Sequence, residues 1–263
     1  MASGQWSVIS KPTSTRGVVF ASVAKRLTSR QPKGATLLFR LIAGSSLLLA
    51  VTTQLAAAQN PAGMAHSVVV LDAAHGGDDA GAGLGGEPEK NFTLEMSVRL
   101  RSLLAARGFQ VVTTREADTT VDMARRAEIA NHAGAMACLS IHATEAGSGV
   151  HIFVSSLSPA GPARFTAFKT AQAAWVTRSL TLAGVVNSAL THAGTGVTLG
   201  RVGLPSLDSM ACPAVAVEIA PQRTADAPGS TSLDDPGVRA HIAEALAAAL
   251  VEWRSAGRGA REP

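Results

Sequence analysis

The sequence predicts a single α/β domain, built on a largely parallel, twisted sheet of about six strands with helices on both faces. Three observations carry this. Apolar residues, branched throughout in Val68 to Leu71, run almost without interruption there, in Met136 to Ile141 and in Ala214 to Val217, as expected of strands buried on both faces. Segments of helical length and periodicity separate several of these runs, which implies crossover connections and hence parallel strands. No internal repeat and no second domain is visible.

The first strand, Ser67 to Leu71, leads into Asp72-Ala73-Ala74-His75-Gly76-Gly77 and a glycine-rich loop. From Glu89 to Ala106, Phe92, Met96, Leu100, Leu103 and Leu104 recur at i, i+4, i+8, i+11 and i+12, the stripe of an amphipathic helix that ends at Arg107-Gly108. Phe109 to Thr114 reads as a second strand, and Val121 to His132 as a second helix stopped by Gly134. Met136 to His142 is the third strand and Val150 to Ser155 the fourth. A long Ala-rich helix is expected within Phe168 to His192, followed by an irregular Gly- and Pro-containing stretch. Ala214 to Ile219 is a further buried strand, and the last helix is expected within Val238 to Trp253.

Residues 1–58 differ from the rest. They hold seven of the 23 Lys and Arg and none of the 19 Asp and Glu, so the remaining 205 residues carry 16 basic against 19 acidic groups, a net of −3 despite +4 overall. The basic groups of that remainder are scattered, so no nucleic-acid partner is expected. A basic segment, an apolar run from Leu41 to Val51 and then Leu55-Ala56-Ala57-Ala58-Gln59 have the order of a secretory signal peptide, with cleavage expected after Ala58. The alternative is an uncleaved anchor over residues 41–58, although the run is short of the ~20 apolar residues a bilayer requires. Residues 59–65 then read as a linker, 66–255 as the domain and 256–263 as a flexible tail. The expected location is the periplasm or the extracellular space. There a disulfide between Cys138 and Cys212 is permitted, but both cysteines flank apolar runs and are expected to stay unpaired as small buried hydrophobes.

Parallel strands deliver their carboxyl ends to one rim, where α/β sheets bind ligands. His75 lies just past the first strand, His142 ends the third and Glu218 stands near the end of Ala214 to Ile219. Glu89 opens the first helix after a loop that crosses the same rim. Two imidazoles and two carboxylates suit a hydrolytic zinc site, with three protein ligands, a fourth position for water and a remaining carboxylate as general base. Each group also has a plainer reading. A lone His is commonly a hydrogen-bonded structural residue, and Glu89 would be favourable at any helix N-terminus. Glu218 is harder to account for, because an acid in an apolar strand is costly unless paired. Asp72 is a candidate hydrogen-bond partner for a ligand histidine, since such ligands usually donate their other ring N–H to an acceptor.

Asp72-Ala73-Ala74-His75-Gly76-Gly77 resembles the D-P-G-H-G-G signature of the zinc-dependent N-acetylmuramoyl-L-alanine amidases of the type 3 family. Further stretches agree in order. Glu89-Lys90-Asn91 with Leu94 is similar to E-K-D/N-x-x-L, Thr114-Arg115 with Asp118 to T-R-x-x-D, and Arg126 to Asn131 to R-x-x-x-A-N. Ser140-Ile141-His142-Ala143 matches S-I-H-A, and Pro213 to Ile219 resembles P-A-V-L-V-E-I. The resemblance covers residues 66 to 253. It implies that His75, Glu89 and His142 bind Zn²⁺ and that Glu218 is the catalytic acid/base. The implied reaction is hydrolysis, in peptidoglycan, of the amide between N-acetylmuramic acid and L-alanine. Departures include Ala73-Ala74 for Pro-Gly, Thr144 after S-I-H-A, His151 where the family often has Glu, and Ala220-Pro221-Gln222-Arg223-Thr224 for G-F-L-S-N. Some similar amidases carry an inserted helix that plugs the site after the fourth strand. Here Ser158-Pro159-Ala160-Gly161-Pro162 cannot be helical, so no obligatory activator is expected, and the chain is expected to act as a monomer.

Gly81-Ala82-Gly83-Leu84-Gly85-Gly86 satisfies G-x-G-x-x-G, but it does not begin at the strand's end and is flanked by Asp78, Asp79, Glu87 and Glu89, which would repel a pyrophosphate. Two alternatives to the amidase reading are a catalytically silent murein-binding domain and a zinc peptidase cutting within the stem peptide.

Overall fold

The computed structural model describes residues 67–161, 167–224 and 227–259, so the expected leader and linker, Pro162 and residues 260–263 of the expected tail lie outside it. The chain runs β1 (Val68–Ala73), a small hairpin of β2 (Gly83–Leu84) and β3 (Glu87–Pro88), α1 (Glu89–Ala106), β4 (Gln110–Thr113), α2 (Met123–Ala133), β5 (Ala137–Ala143) and β6 (Val150–Ser155). It continues with α3 (Val176–His192), β7 (Val197–Val202), α4 (Pro205–Asp208), β8 (Ala214–Ile219), β9 (Arg223–Thr224), β10 (Ala227–Ser230) and α5 (Pro236–Gly259). Among the described residues, no helix is long and apolar enough to cross a membrane.

Six strands form one sheet in the order β4-β1-β5-β8-β6-β7. The first four are mutually parallel, as expected, whereas β6 is antiparallel to β8 and β7 follows β6 in parallel. The reversal has a local cause. Only residues 144–149 link β5 to β6, and a parallel return needs a dozen or more.

Alternation along the strands divides the core between two faces. Val69, Leu71, Leu139, Ile141, Val215 and Val217 pack with Leu100, Leu104, Val186 and Leu250, under α1, α3 and α5. Val68, Val70, Cys138, Ala214 and Ala216 pack with Ala127, Ala130, Leu207 and Met210, under α2 and α4. Fully burying a branched side chain contributes about 1.5–3 kcal/mol, so β1, β5 and β8, buried along nearly their whole length, anchor the sheet. Asp122 caps α2 by accepting from the Arg125 amide, and Gly134 ends it in the left-handed region.

Some expectations need correction. The Ala-rich helix fills only the later part of its expected range: residues Phe168–Ala174 form a 3₁₀ turn, and α3 runs from Val176 to His192. The stretch expected to be irregular contains β7, an edge strand with partly exposed residues on both sides, and the short α4. The last helix continues past Trp253 to Gly259, into the expected tail. Cys138 and Cys212 are paired, not free. Register explains this: Cys138 lies opposite Ala214, so Cys212, two residues earlier, points to the same face with its Cα 6.3 Å away.

Candidate metal centre

His75, Glu89 and His142 meet at the rim formed by the carboxyl ends of β1 and β5. Glu89, the first residue of α1, is 4% exposed. Its carboxylate lies between the two imidazoles, with Oε2 3.0 Å from His75 Nε2 and Oε1 3.1 Å from His142 Nδ1. The rings stand nearly perpendicular, 5.5 Å apart at their centroids. One ligand atom from each residue lies within 4.8 Å of the other two. Burial pushes the Glu89 carboxyl up, but hydrogen bonds from His142, His75 and the Ala82 and Ala143 amides outweigh it and hold the group well below the usual carboxylate range. The same contact with Glu89 raises His75 above 6.5 against the opposing effect of burial, with Asp79 adding to the rise.

The second nitrogen of each ring also has a partner. His75 Nδ1 donates to Asp79 Oδ2 at 2.8 Å, leaving Nε2 for a metal. His142 Nε2 lies 3.4 Å from Ser140 Oγ, and that hydroxyl donates to Asp72 Oδ2 at 2.8 Å. Asp72, expected to touch a ligand histidine, therefore reaches His142 through Ser140. Two imidazoles and a carboxylate, with ring orientations fixed by outer acceptors, match a three-ligand site with an open fourth position. The donor set fits a divalent ion of zinc type.

The loop bearing His75 is held by two buried arginines. His75 itself has a φ of 62°, in the left-handed region that non-glycine residues seldom adopt. Arg126 donates to Val121 O, Ala73 O, His75 O and the Asp72 carboxylate, the last at 2.7 Å. Arg115 donates to Ala73 O, Ala74 O and Lys90 O. These bonds hold the Ala73-Ala74 turn that Pro-Gly would otherwise preset. Lys90 joins Gly77 O to Asp118 on the outer side of the loop. Gly81 brings the hairpin close, since a Cβ there would lie 2.7 Å from both Glu89 Oε2 and His75 Cδ2. The G-x-G-x-x-G stretch thus walls the site and forms the β2–β3 turn.

Glu218 is not part of the trio. Register places it opposite His142 on one side and His151 on the other, so the three side chains share one face of the sheet. Its carboxylate, a third exposed, binds His151 Nδ1 at 2.9 Å through Oε2. Sequence reasoning assigned no role to Asp79, Ser140, Arg115 or Arg126. Arg126 had a findable signal, an arginine beside Ala127 and Ala130 on the inner stripe of a helix. Asp79 had none, being one acid among several in a loop.

A family model described as N-acetylmuramoyl-L-alanine amidase (Amidase_3) matches residues 69–252. Among curated relatives, N-acetylmuramoyl-L-alanine amidase AmiA of Escherichia coli (strain K12) is 44% identical over 77 residues, 29% of this chain and 27% of that protein. N-acetylmuramoyl-L-alanine amidase CwlM of Bacillus licheniformis is 37% identical over 81 residues, 30% of this chain and 32% of that protein. The matched segments thus span about a third or less of these relatives. Among solved structures, amidase AmiC2 of Nostoc punctiforme superposes with a TM-score of 0.57 at 26% identity, covering 73% of this chain and 99% of that one. Amidase Ami1 of Mycobacterium smegmatis superposes at 0.58 with 22% identity, covering 74% and 100%, a likeness of fold. With the family model matched across both core faces and all four rim positions, the chain belongs to the N-acetylmuramoyl-L-alanine amidase type 3 family.

Proposed function

We propose that this chain is an exported zinc hydrolase that cleaves the amide between N-acetylmuramic acid and L-alanine in peptidoglycan. The observation that carries the reading is the His75–Glu89–His142 trio on the same rim as Glu218, whose register partner is a ligand histidine. Zinc bound there would polarise the scissile carbonyl and bring the pKa of its water toward ~7. His75 Nε2, His142 Nδ1 and a Glu89 oxygen would hold the ion, with Asp79 and Ser140 fixing the rings. Glu218 takes a proton from the attacking water as its oxygen adds to the lactyl carbonyl carbon. It then returns that proton to the L-alanine nitrogen as the C–N bond breaks.

The disulfide between Cys138 and Cys212 supports an oxidising compartment, and with it export. The reading includes action as a monomer without an activating partner. Digestion of peptidoglycan by the purified chain alone, with mass analysis of the products, tests it. Free stem peptides with an N-terminal L-alanine are expected. Shortened stems still joined to N-acetylmuramic acid would identify a peptidase, and unchanged substrate a binding domain.

A further inference from the structure

Beside the trio and Glu218 stands an ionisable group that the proposed mechanism does not use, His151. It stands on β6 directly opposite Glu218, across the antiparallel pairing that the short 144–149 link creates. Its Nδ1 lies 2.9 Å from Glu218 Oε2. The His151 side chain is 16% exposed against 33% for Glu218, so the ring lies behind the carboxylate and not in front of it. Two further contacts fix the ring. Phe153 meets it edge-on at a centroid distance of 6.3 Å. The 144–149 loop closes over it at Gly147, where a Cβ would fall 2.4 Å from His151 Cε1.

We infer that His151 is a positioning residue for the general base: by donating from Nδ1 to Oε2 it fixes the Glu218 carboxylate and leaves Oε1 as the proton acceptor. This rests on the reading of Glu218 as base. A glutamate side chain has several rotatable bonds and loses substantial rotamer freedom when fixed. The neighbour supplies that order before substrate arrives. Misplacing a reacting group by about 1 Å can cost on the order of 10²-fold in rate, and in the comparable case of a metal ligand, loss of its outer hydrogen-bond partner typically costs about 10- to 100-fold.

The test uses the full zinc-loaded protein and a soluble muramoyl-peptide substrate. His151→Phe keeps the ring's bulk and removes the donor. It is expected to lower kcat by about 10- to 100-fold while KM, zinc content and melting temperature stay near wild type. His151→Asn puts an amide nitrogen near the Nδ1 position and should recover most of the loss, whereas His151→Gln, whose amide mimics Nε2, should not. That pair decides the question even if the Phe variant fails to fold. In a Glu218→Gln background, His151→Phe should cause no comparable further loss, because the residue acts through the carboxylate. Undiminished kcat in His151→Phe, equal losses in both backgrounds, or equal rescue by Asn and Gln would overturn the positioning role while Glu218→Gln still showed its own defect. Wild-type turnover in Glu218→Gln itself would instead remove the base assignment, and the role of His151 with it.

Discussion

Arg126→Met should damage both the fold and the metal site. The guanidinium is 6% exposed at the residue level and makes four hydrogen bonds, to Val121 O, Ala73 O, His75 O and the buried Asp72 carboxylate. Methionine matches much of its length and removes every donor. Asp72 keeps the Thr114 and Ser140 hydroxyls but loses its only ion-pair partner among the described residues. Breaking a buried pair from one side costs about 3–5 kcal/mol, and the three carbonyls add to that wherever water cannot reach them. For a domain of this size each kcal/mol moves the melting temperature by roughly 2–4 °C, so a fall of roughly 6–20 °C is expected. Arg126→Lys should rescue little, because a single ammonium cannot serve four acceptors spread over a planar fork. Calorimetry of zinc-free protein isolates the fold term, and zinc titration of the same samples reads the effect on the His75 loop. A melting temperature within about 2 °C of wild type, with unchanged zinc affinity, would refute the claim that Arg126 holds this loop.

Replacing Cys138 and Cys212 together by alanine opens a closure of 74 residues, which loop entropy values at about 4.4 kcal/mol. Calorimetry should show that loss, and an unchanged melting temperature would contradict it. Asp79→Ala removes the acceptor that orients His75 and should weaken zinc binding about 10- to 100-fold, as measured against a competing chelator, with the fold intact because Asp79 is exposed. Metal binding must displace the proton that His75 holds above its ordinary 6.5. Zinc affinity should therefore fall as pH drops from about 8 to about 6, by up to about tenfold per pH unit for each proton displaced; a flat profile would contradict this. Glu218→Gln should lose about 10²- to 10⁴-fold in turnover and keep its zinc, and loss of zinc along with activity would show that Glu218 acts as a ligand.

The parts of the fold that were legible in the sequence are those whose signal is local. β1, β5 and β8 are buried on both faces and read as continuous apolar runs, and α1 shows its inner stripe at a period of 3.6. β7 was invisible because an edge strand buries too little to leave a pattern, with Leu199 54% exposed. The reversal of β6 and the Cys138–Cys212 pairing depend on strand order and register, which no local window encodes. The site divides along the same line. His75, Glu89, His142 and Glu218 stand at strand or helix ends in chemically unusual positions and matched a family pattern. Ser140, Arg115 and Arg126 lie in stretches that match the family pattern, but their contacts with Asp72 and the His75 loop, like the contact of Asp79 with His75, appear only in three dimensions. Asp72 lies one residue before the end of β1, where a contact with a ligand histidine is expected. It points to the α2 face, where Arg126, Thr114 and Ser140 take both its oxygens, and meets His142 only through the Ser140 hydroxyl.

Stoichiometric zinc titration of the metal-free protein, with turnover on peptidoglycan read at each addition, tests the central claim most directly. Activity should be absent without metal, rise linearly and break at one equivalent per chain, and His142→Ala should show neither the break nor the activity. Full turnover in protein that elemental analysis finds free of metal would contradict the assignment of His75, Glu89 and His142.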